Sequence, residues 1–407
     1  MTSSDSLTAA LQAFVDDGSL AGLAARVWRN GHEVQTTCVG FRDMEAALPV
    51  EHDTLFRIAS LSKPITSAAA LLLWEEGKFA LTDPIARWAP EFSTMRVLRS
   101  ITGSLSETDP AERQITFEDL LTHRSGLTYG AFHPGPIAKA FESALGGDID
   151  SHVVPDEWIR ALGCLPLIDQ PGRGFHYGHS TDLLGLLIAR IEDVPLGDVL
   201  QRRIFGPLGM QDTGFTVPHT KIARRAKLYG FDESDRLIAR LTAPGGATLA
   251  ERPQHMTFVS GGQGLWSTLD DYSCFARMFL GARSANAIPL LRPETLALMT
   301  SNRLTPSQRS AARLLGLPLF ATGHGFGMGV AVVLDPKTAP AYRCRGGLGT
   351  VGWPGAFGSW WQADPTDNSV MIFLTHNLFE LEQLSRGVGL GAFAAVGTFH
   401  ALASSKN

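Results

Sequence analysis

The feature that most limits the fold is where the β-prone segments fall. Residues 25–41, ARVWRNGHEVQTTCVGF, are two β-rich runs joined by Asn30-Gly31. That pair suits the type I′ turn of a hairpin. From residue 115 to about 203 the pattern turns mainly helical, with LLGLLIARI at 183–191 as its most apolar stretch. The β signal returns only late, in 326–334, 355–364 and 369–376, with a turn over 365–368 joining the last two. A lone hairpin cannot bury the core of a 407-residue chain, so strands distant in sequence must share one sheet. The expected fold class is α/β of the α+β type: an antiparallel sheet flanked by helices, with an inserted, mainly helical lobe. Two lobes are the expectation at this length. Residues 1–90 and 265–407 would form the sheet-bearing lobe, 91–264 the helical one, with the active site between.

Both ends read as helices. Leu7, Ala10, Leu11 and Phe14 recur at helical spacing, and Gly18 stops the run. Residues 387–403, GVGLGAFAAVGTFHALA, hold no Asp, Glu, Lys or Arg. A bilayer span needs about 20 apolar residues. This stretch is shorter and carries four glycines and a histidine, so a helix packed on the sheet is expected, not a membrane anchor. Charge is moderate, at 18% charged residues and a net −5, with no basic block. Nucleic acid is therefore not an expected partner. The four cysteines, Cys38, Cys164, Cys274 and Cys344, are widely spaced and make no Cys-x-x-Cys. They read as reduced core residues of a cytoplasmic protein. The first 18 residues carry no early Lys or Arg and no long apolar run, unlike a secretory signal.

The chemistry concentrates at residues 57–66, RIASLSKPIT. A β-prone run precedes this stretch, and an apolar helix to about Gly77 follows, with Pro64 in its first turn, where a missing N–H costs nothing. Ser60 and Lys63 stand at the join, three residues apart and so on one helical face. A serine hydroxyl becomes a nucleophile once a base takes its proton, and a neutral lysine can be that base. A free lysine titrates near 10.4, so neutrality at pH 7 costs about 4 kcal/mol. Burial and a proton-sharing partner, such as a tyrosine, must supply it. At the start of a helix the Ser60 N–H also lies among unpaired donors that can face developing negative charge. Ser-x-x-Lys occurs once, but with 28 serines and seven lysines about half a chance match is expected. A surface lysine near a helix start is the bland alternative.

Longer segments add weight. FRIASLSK (56–63), ITFEDLLTHRSGL (115–127), PGRGFHYGHSTDLLGLLIARI (171–191), IFGPLGMQDTGF (204–215), GGQGLWSTLDDYSCFARMFL (261–280) and GWPGAFGSWW (352–361) occur in order. Together they resemble the serine β-lactamase and penicillin-binding-protein superfamily, in its class C-like branch, and most of all the family VIII carboxylesterases. The resemblance implies Ser60 as nucleophile, with Lys63 and Tyr177 as proton-transfer groups. It also implies an oxyanion hole from the backbone N–H groups of Ser60 and Ala356. The chain departs from β-lactamases at two places. His179 replaces the asparagine of Tyr-x-Asn. Trp353 and Pro354 replace the lysine and threonine of the Lys-Thr-Gly strand, with Gly355 kept. The usual clamp for a β-lactam carboxylate is thus missing, while an indole N–H and a wide apolar face take its place. Trp353, Gly355, His179 and Tyr129 are the candidate substrate-binding residues. Trp360 and Trp361 are read on the same strand as Trp353, alternating between cleft and core.

The implied activity is hydrolysis of a small, short-acyl carboxylic ester through an acyl-enzyme, with β-lactam turnover slow if present. No metal or organic cofactor is implied. Acyl transfer to an alcohol is the nearest alternative, since fungal acyltransferases of this fold share the Ser-x-x-Lys and the tyrosine. β-Lactam or D-amino-acid peptide hydrolysis is a second alternative, and a penicillin-binding-like sensor or scaffold a third. Oligomeric state is not encoded in these patterns. GLGTVG (347–352) matches Gly-x-Gly-x-x-Gly, but no helix pattern follows it, so a dinucleotide site is not expected. His176 and His179 lack the partners of a zinc site. Ser180 reads as an N-cap, Asp182 as a first-turn acid complementing the helix dipole, and His123 as a turn-stabilising residue.

Overall fold

A computed structural model describes residues 3–146, 151, 153–240, 258–281, 289–314, 316–320, 322–339 and 346–404. Its centre is an eight-stranded sheet in which every neighbouring pair is antiparallel. The strands are β1 (Gly22–Arg29), β2 (His32–Asp43), β3 (Leu48–Pro49), β4 (His324–Phe326), β5 (Ala331–Val333), β6 (Val351–Pro354), β7 (Trp360–Asp364) and β8 (Ser369–Thr375). They lie in the order β4-β5-β6-β7-β8-β1-β2-β3. The two ends of the chain therefore meet inside the sheet. β1 pairs with β8 from Leu23↔Thr375 to Arg29↔Ser369, and on its other edge with β2. Asn30 (φ 52°) and Gly31 (φ 89°) both turn left-handed, as a type I′ hairpin requires.

Both faces of the sheet are covered. Leu23, Ala25 and Val27 point to one side, against Leu7 and Leu11 of the first helix (Ser3–Asp16) and Ala395 and Phe399 of the last (Gly391–Ser404). Trp361, Ile372 and Leu374 point to the other, into a core shared with Tyr272 and Phe275 of the helix Leu269–Arg277. That second core continues into the helices drawn from the middle of the chain. The helix Ser62–Glu75 is buried over nearly its whole length and packs against Ser180–Glu192. A helix apolar all round belongs in such an interior. Among the described residues, no helix is long and apolar enough to cross a membrane.

Several sequence readings are corrected. Residues 326–334 are not one strand: Phe326 ends β4, a turn follows, and β5 begins at Ala331. Gly329 turns the chain between them at φ 85°, where a Cβ would collide with Ser67 Oγ. Residues 355–364 also divide: Gly355 N–H donates to the Ser359 carbonyl at 2.7 Å, closing a turn between β6 and β7. Trp353 and the Trp360-Trp361 pair thus occupy neighbouring strands, with Trp353 opposite Trp361. The N-cap of Ser180–Glu192 is His179, not Ser180, and it makes no side-chain cap; Ser180 Oγ instead bonds Ser125 Oγ at 2.8 Å. Cys164, at the end of Pro155–Gly163, is exposed and not part of the core; Cys344 lies outside the described residues.

Candidate active site

The turn that carries Ser60 is fixed from several sides. The two-residue strand Phe56–Arg57 pairs with Trp266–Ser267, and Ile58 N–H reaches the Leu265 carbonyl at 3.0 Å. Ala59 then takes φ 45°, a left-handed conformation uncommon for a residue with a Cβ and held only by its surroundings. Ser60 follows in the short turn Ala59–Leu61, and the helix Ser62–Glu75 begins directly after it. Tyr272 OH donates to Leu61 O at 3.0 Å, Ser62 Oγ accepts from Leu265 N–H at 3.2 Å, and Thr66 Oγ1 donates to Gly261 O at 2.6 Å. The 261–267 segment is thereby laced onto the first turn of the helix.

Lys63 is fully buried. Its Nζ lies 3.4 Å from Ser60 Oγ, 3.1 Å from Tyr129 OH and 3.1 Å from the Gly262 carbonyl oxygen. It also sits over the Tyr177 ring, 4.5 Å from the centroid. The two tyrosines meet edge to face at 5.8 Å, and the Thr128 hydroxyl donates to the Tyr177 carbonyl at 3.3 Å. Trp353 Nε1–H donates to Tyr177 OH at 3.0 Å. The phenol oxygen accepts there, which leaves its own proton free to be directed elsewhere. His123 closes the back, its ring 4.9 Å from that of Tyr177. Burial first, and then the charge of Lys63, hold its pKa well below the usual histidine range. It is a neutral ring at φ 53°, with Nε2 3.4 Å from Thr181 Oγ1.

Ser60, Tyr129, Tyr177, Trp353, Gly355 and Ala356 all open onto one cavity of about 430 Å³. Phe132, Leu314, Leu319, Trp360, Phe393 and Val396 supply its apolar wall, and Gln263 a polar point. Among the described lining residues there is no Asp, Glu, Lys, Arg or His. Gly355 lies so close to the Ser60 turn that a Cβ on it would stand 2.9 Å from Ile58 O. That contact sets Ala356 beside Ser60, and neither of their N–H groups has a backbone acceptor among the described residues.

Two residues sit differently from their sequence reading. His179 does not line the cavity. It is fully buried behind Tyr129, packed on Trp158 and Phe141, and its Nδ1 meets Asp182 Oδ2 at 2.9 Å. As the residue that starts a buried helix it has no path to a substrate. Tyr129, read as a pocket wall, also contacts the lysine directly. Gly262 and Asp182 also neighbour Lys63, and nothing local in sequence links them to it. His176 pairs with Asp169 at 2.9 Å, and no group of His, Cys, Asp and Glu among the described residues is arranged to hold a metal ion.

An antiparallel sheet with a Ser-x-x-Lys helix start packed beside β6, facing tyrosines from an inserted helical segment, is the architecture of the serine β-lactamase and penicillin-binding-protein superfamily. The sequence profile of the beta-lactamase family matches residues 7–388, and the chain belongs to that family. Protein Rv1367c of Mycobacterium tuberculosis is 43% identical over 380 residues, covering 93% of this chain and 91% of that one. Esterase EstB of Burkholderia gladioli is 31% identical over 390 residues, 92% of each chain. Among solved structures, EstCE1, described as a hydrolase with promiscuous acyltransferase activity, superposes with a TM-score of 0.78 at 26% identity, over 97% of this chain and 98% of that one.

Proposed function

We propose that this protein is a serine carboxylesterase of the family VIII type, acting on neutral esters with a short acyl chain. The observation that carries this reading is the buried Lys63 amine, 3.4 Å from Ser60 Oγ and 3.1 Å from Tyr129 OH, beside a cavity with no charged group among its described lining residues. Membership of a family of serine-dependent acyl chemistry, with an esterase and a hydrolase-acyltransferase among its relatives, supports it.

Ser60 Oγ attacks the ester carbonyl and its proton passes to the Lys63 amine. The Ser60 and Ala356 N–H groups receive the oxyanion, each worth about 3–4 kcal/mol in the barrier. As the tetrahedral intermediate collapses, the proton goes to the departing alkoxide through Tyr177, whose oxygen the Trp353 indole steadies. The alcohol leaves and the acyl group stays on Ser60. Water then enters, gives up a proton along the same route and releases the acid. Trp353 and Pro354 offer no cation to a carboxylate, which favours an ester over an anionic lactam or a D-amino-acid peptide.

Purified protein assayed with p-nitrophenyl butyrate beside a nitrocefin-type lactam tests the assignment. Ester turnover well above lactam turnover is expected, lost in Ser60→Ala; ester cleavage that survives Ser60→Ala refutes the nucleophile. A competing alcohol in the assay reports acyl transfer, the second reading that the EstCE1 likeness favours. Absence of labelling by a phosphonate inhibitor would support the sensor or scaffold reading instead.

A further inference from the structure

Lys63 has a backbone partner that the reaction just described does not use. Its Nζ donates to the Gly262 carbonyl at 3.1 Å, and a carboxylate lies behind that glycine. Asp182 is fully buried. Its Oδ1 accepts from Gly262 N–H at 3.0 Å and from the Ser260 hydroxyl, and its Oδ2 from His179 Nδ1 at 2.9 Å. A Cβ placed on Gly262 would stand 3.0 Å from Asp182 Oδ1 and 3.2 Å from Lys63 Nζ. Amine and carboxylate therefore share one face of a residue that has no side chain to separate them.

We infer that Asp182 is a positioning residue for the acyl-transfer chemistry: held by Ser260 and His179, its carboxylate pins the Gly262 backbone, so that the Gly262 carbonyl aims the Lys63 amine at Ser60, and it supplies the buried countercharge when that amine takes the serine proton. The inference rests on the function proposed above. Creating an ammonium in a buried pocket is costly unless an opposite charge stands near. Among the described residues, the titratable groups around the amine are Tyr129, Tyr177 and His123, with the His179–Asp182 pair at the start of the helix Ser180–Glu192. Asp182 is the carboxylate among them. Burial works to raise its pKa, but the His179 hydrogen bond and charge, the charge of Lys63 in its protonated form and the Ser260 hydroxyl outweigh burial and hold it below the usual carboxylate range. A first-turn acid has a bland use in balancing the helix dipole, but all three bonds of this one run to the 260–262 segment or to His179.

The test is the rate at which a fluorophosphonate labels Ser60, followed by intact mass across pH in wild type and Asp182→Asn. Asn keeps the size and can still accept from Gly262 N–H. Labelling should slow about ten- to a hundredfold, the scale of one disrupted buried hydrogen-bond set. The acid limb of the rate should also move to lower pH, because a cation that loses a neighbouring anion gives up its proton more readily. A folded Asp182→Asn that labels within twofold of wild type, or labels slowly with an unmoved limb, overturns the inference. If that variant does not fold, Ser260→Ala decides. It removes one donor and leaves the charge, so a several-fold loss with the limb unmoved supports the inference, and wild-type labelling overturns it. Wild-type protein that takes no label at Ser60 would defeat the proposed function itself; labelled wild type with an indifferent Asp182→Asn defeats this inference alone.

Discussion

Trp353→Phe separates two jobs that the indole could hold. As a wall, Trp353 presents a ring to the cavity, 3% exposed. As a donor, it places Nε1–H 3.0 Å from Tyr177 OH. Phenylalanine keeps an aromatic ring near Phe326, now 5.2 Å away edge to face, and removes the N–H. A neutral hydrogen bond is worth about 1 kcal/mol net, whereas one to a charged group is worth about 1.5–3 kcal/mol. In the proposed relay the Tyr177 oxygen carries negative charge only while a proton is passing, so the difference, about 1–2 kcal/mol, falls on the barrier. At about 1.4 kcal/mol per tenfold, kcat for p-nitrophenyl butyrate should fall about five- to thirtyfold, with KM little changed. Thermal unfolding gives the separate cost of the smaller ring, on the order of 1–2 kcal/mol. If kcat stays within twofold while KM rises, Trp353 is a wall alone and the argument that it steadies the phenol is wrong.

Acid should destabilise the fold through its buried histidines. In His376, burial and then the Arg57 charge push the pKa down to about 3, while the unfolded side chain binds its proton near pH 6.5. This contribution to stability is complete above that pH and is lost, at about 1.4 kcal/mol per pH unit, as pH falls toward the folded value. Neutral His123 adds in the same direction. His376→Asn should flatten the slope of Tm between pH 6.5 and 5, and a slope parallel to wild type would contradict this account. At the proposed oxyanion hole, Gly355→Ala drives a methyl to 2.9 Å from Ile58 O and 3.0 Å from Leu61 Cδ1. The turn must withdraw from Ser60, taking the Ala356 N–H with it. A kcat loss of about ten- to a hundredfold, part of one donor's worth, is expected; unchanged kcat would mean that Ala356 does not hold the oxyanion.

What the sequence revealed follows from the range over which each interaction acts. Asn30-Gly31 announces its hairpin because both residues are among the few that turn left-handed cheaply. Ser60 and Lys63 are legible because one helical turn sets their distance. The joining of β1 to β8 follows from core size, although no single residue encodes it. Where glycine interrupts β-prone sequence, a reading by alternation passes over the turn. By alternation alone 326–334 and 355–364 each look like a single strand, whereas in the fold Trp353 and Trp361 face each other across a ladder. The motif position of His179 gives no sign of its environment, which is set by Trp158, Phe141 and Asp182, residues that close around it only in the fold. The third contact of Lys63 is the least legible, since its partner is a backbone carbonyl 199 residues away. A carbonyl has no residue type to betray it. Only the demand for a bare glycine at 262, squeezed between an amine and a carboxylate, leaves a trace in the sequence, and that trace gains its meaning once Asp182 is seen on the same face.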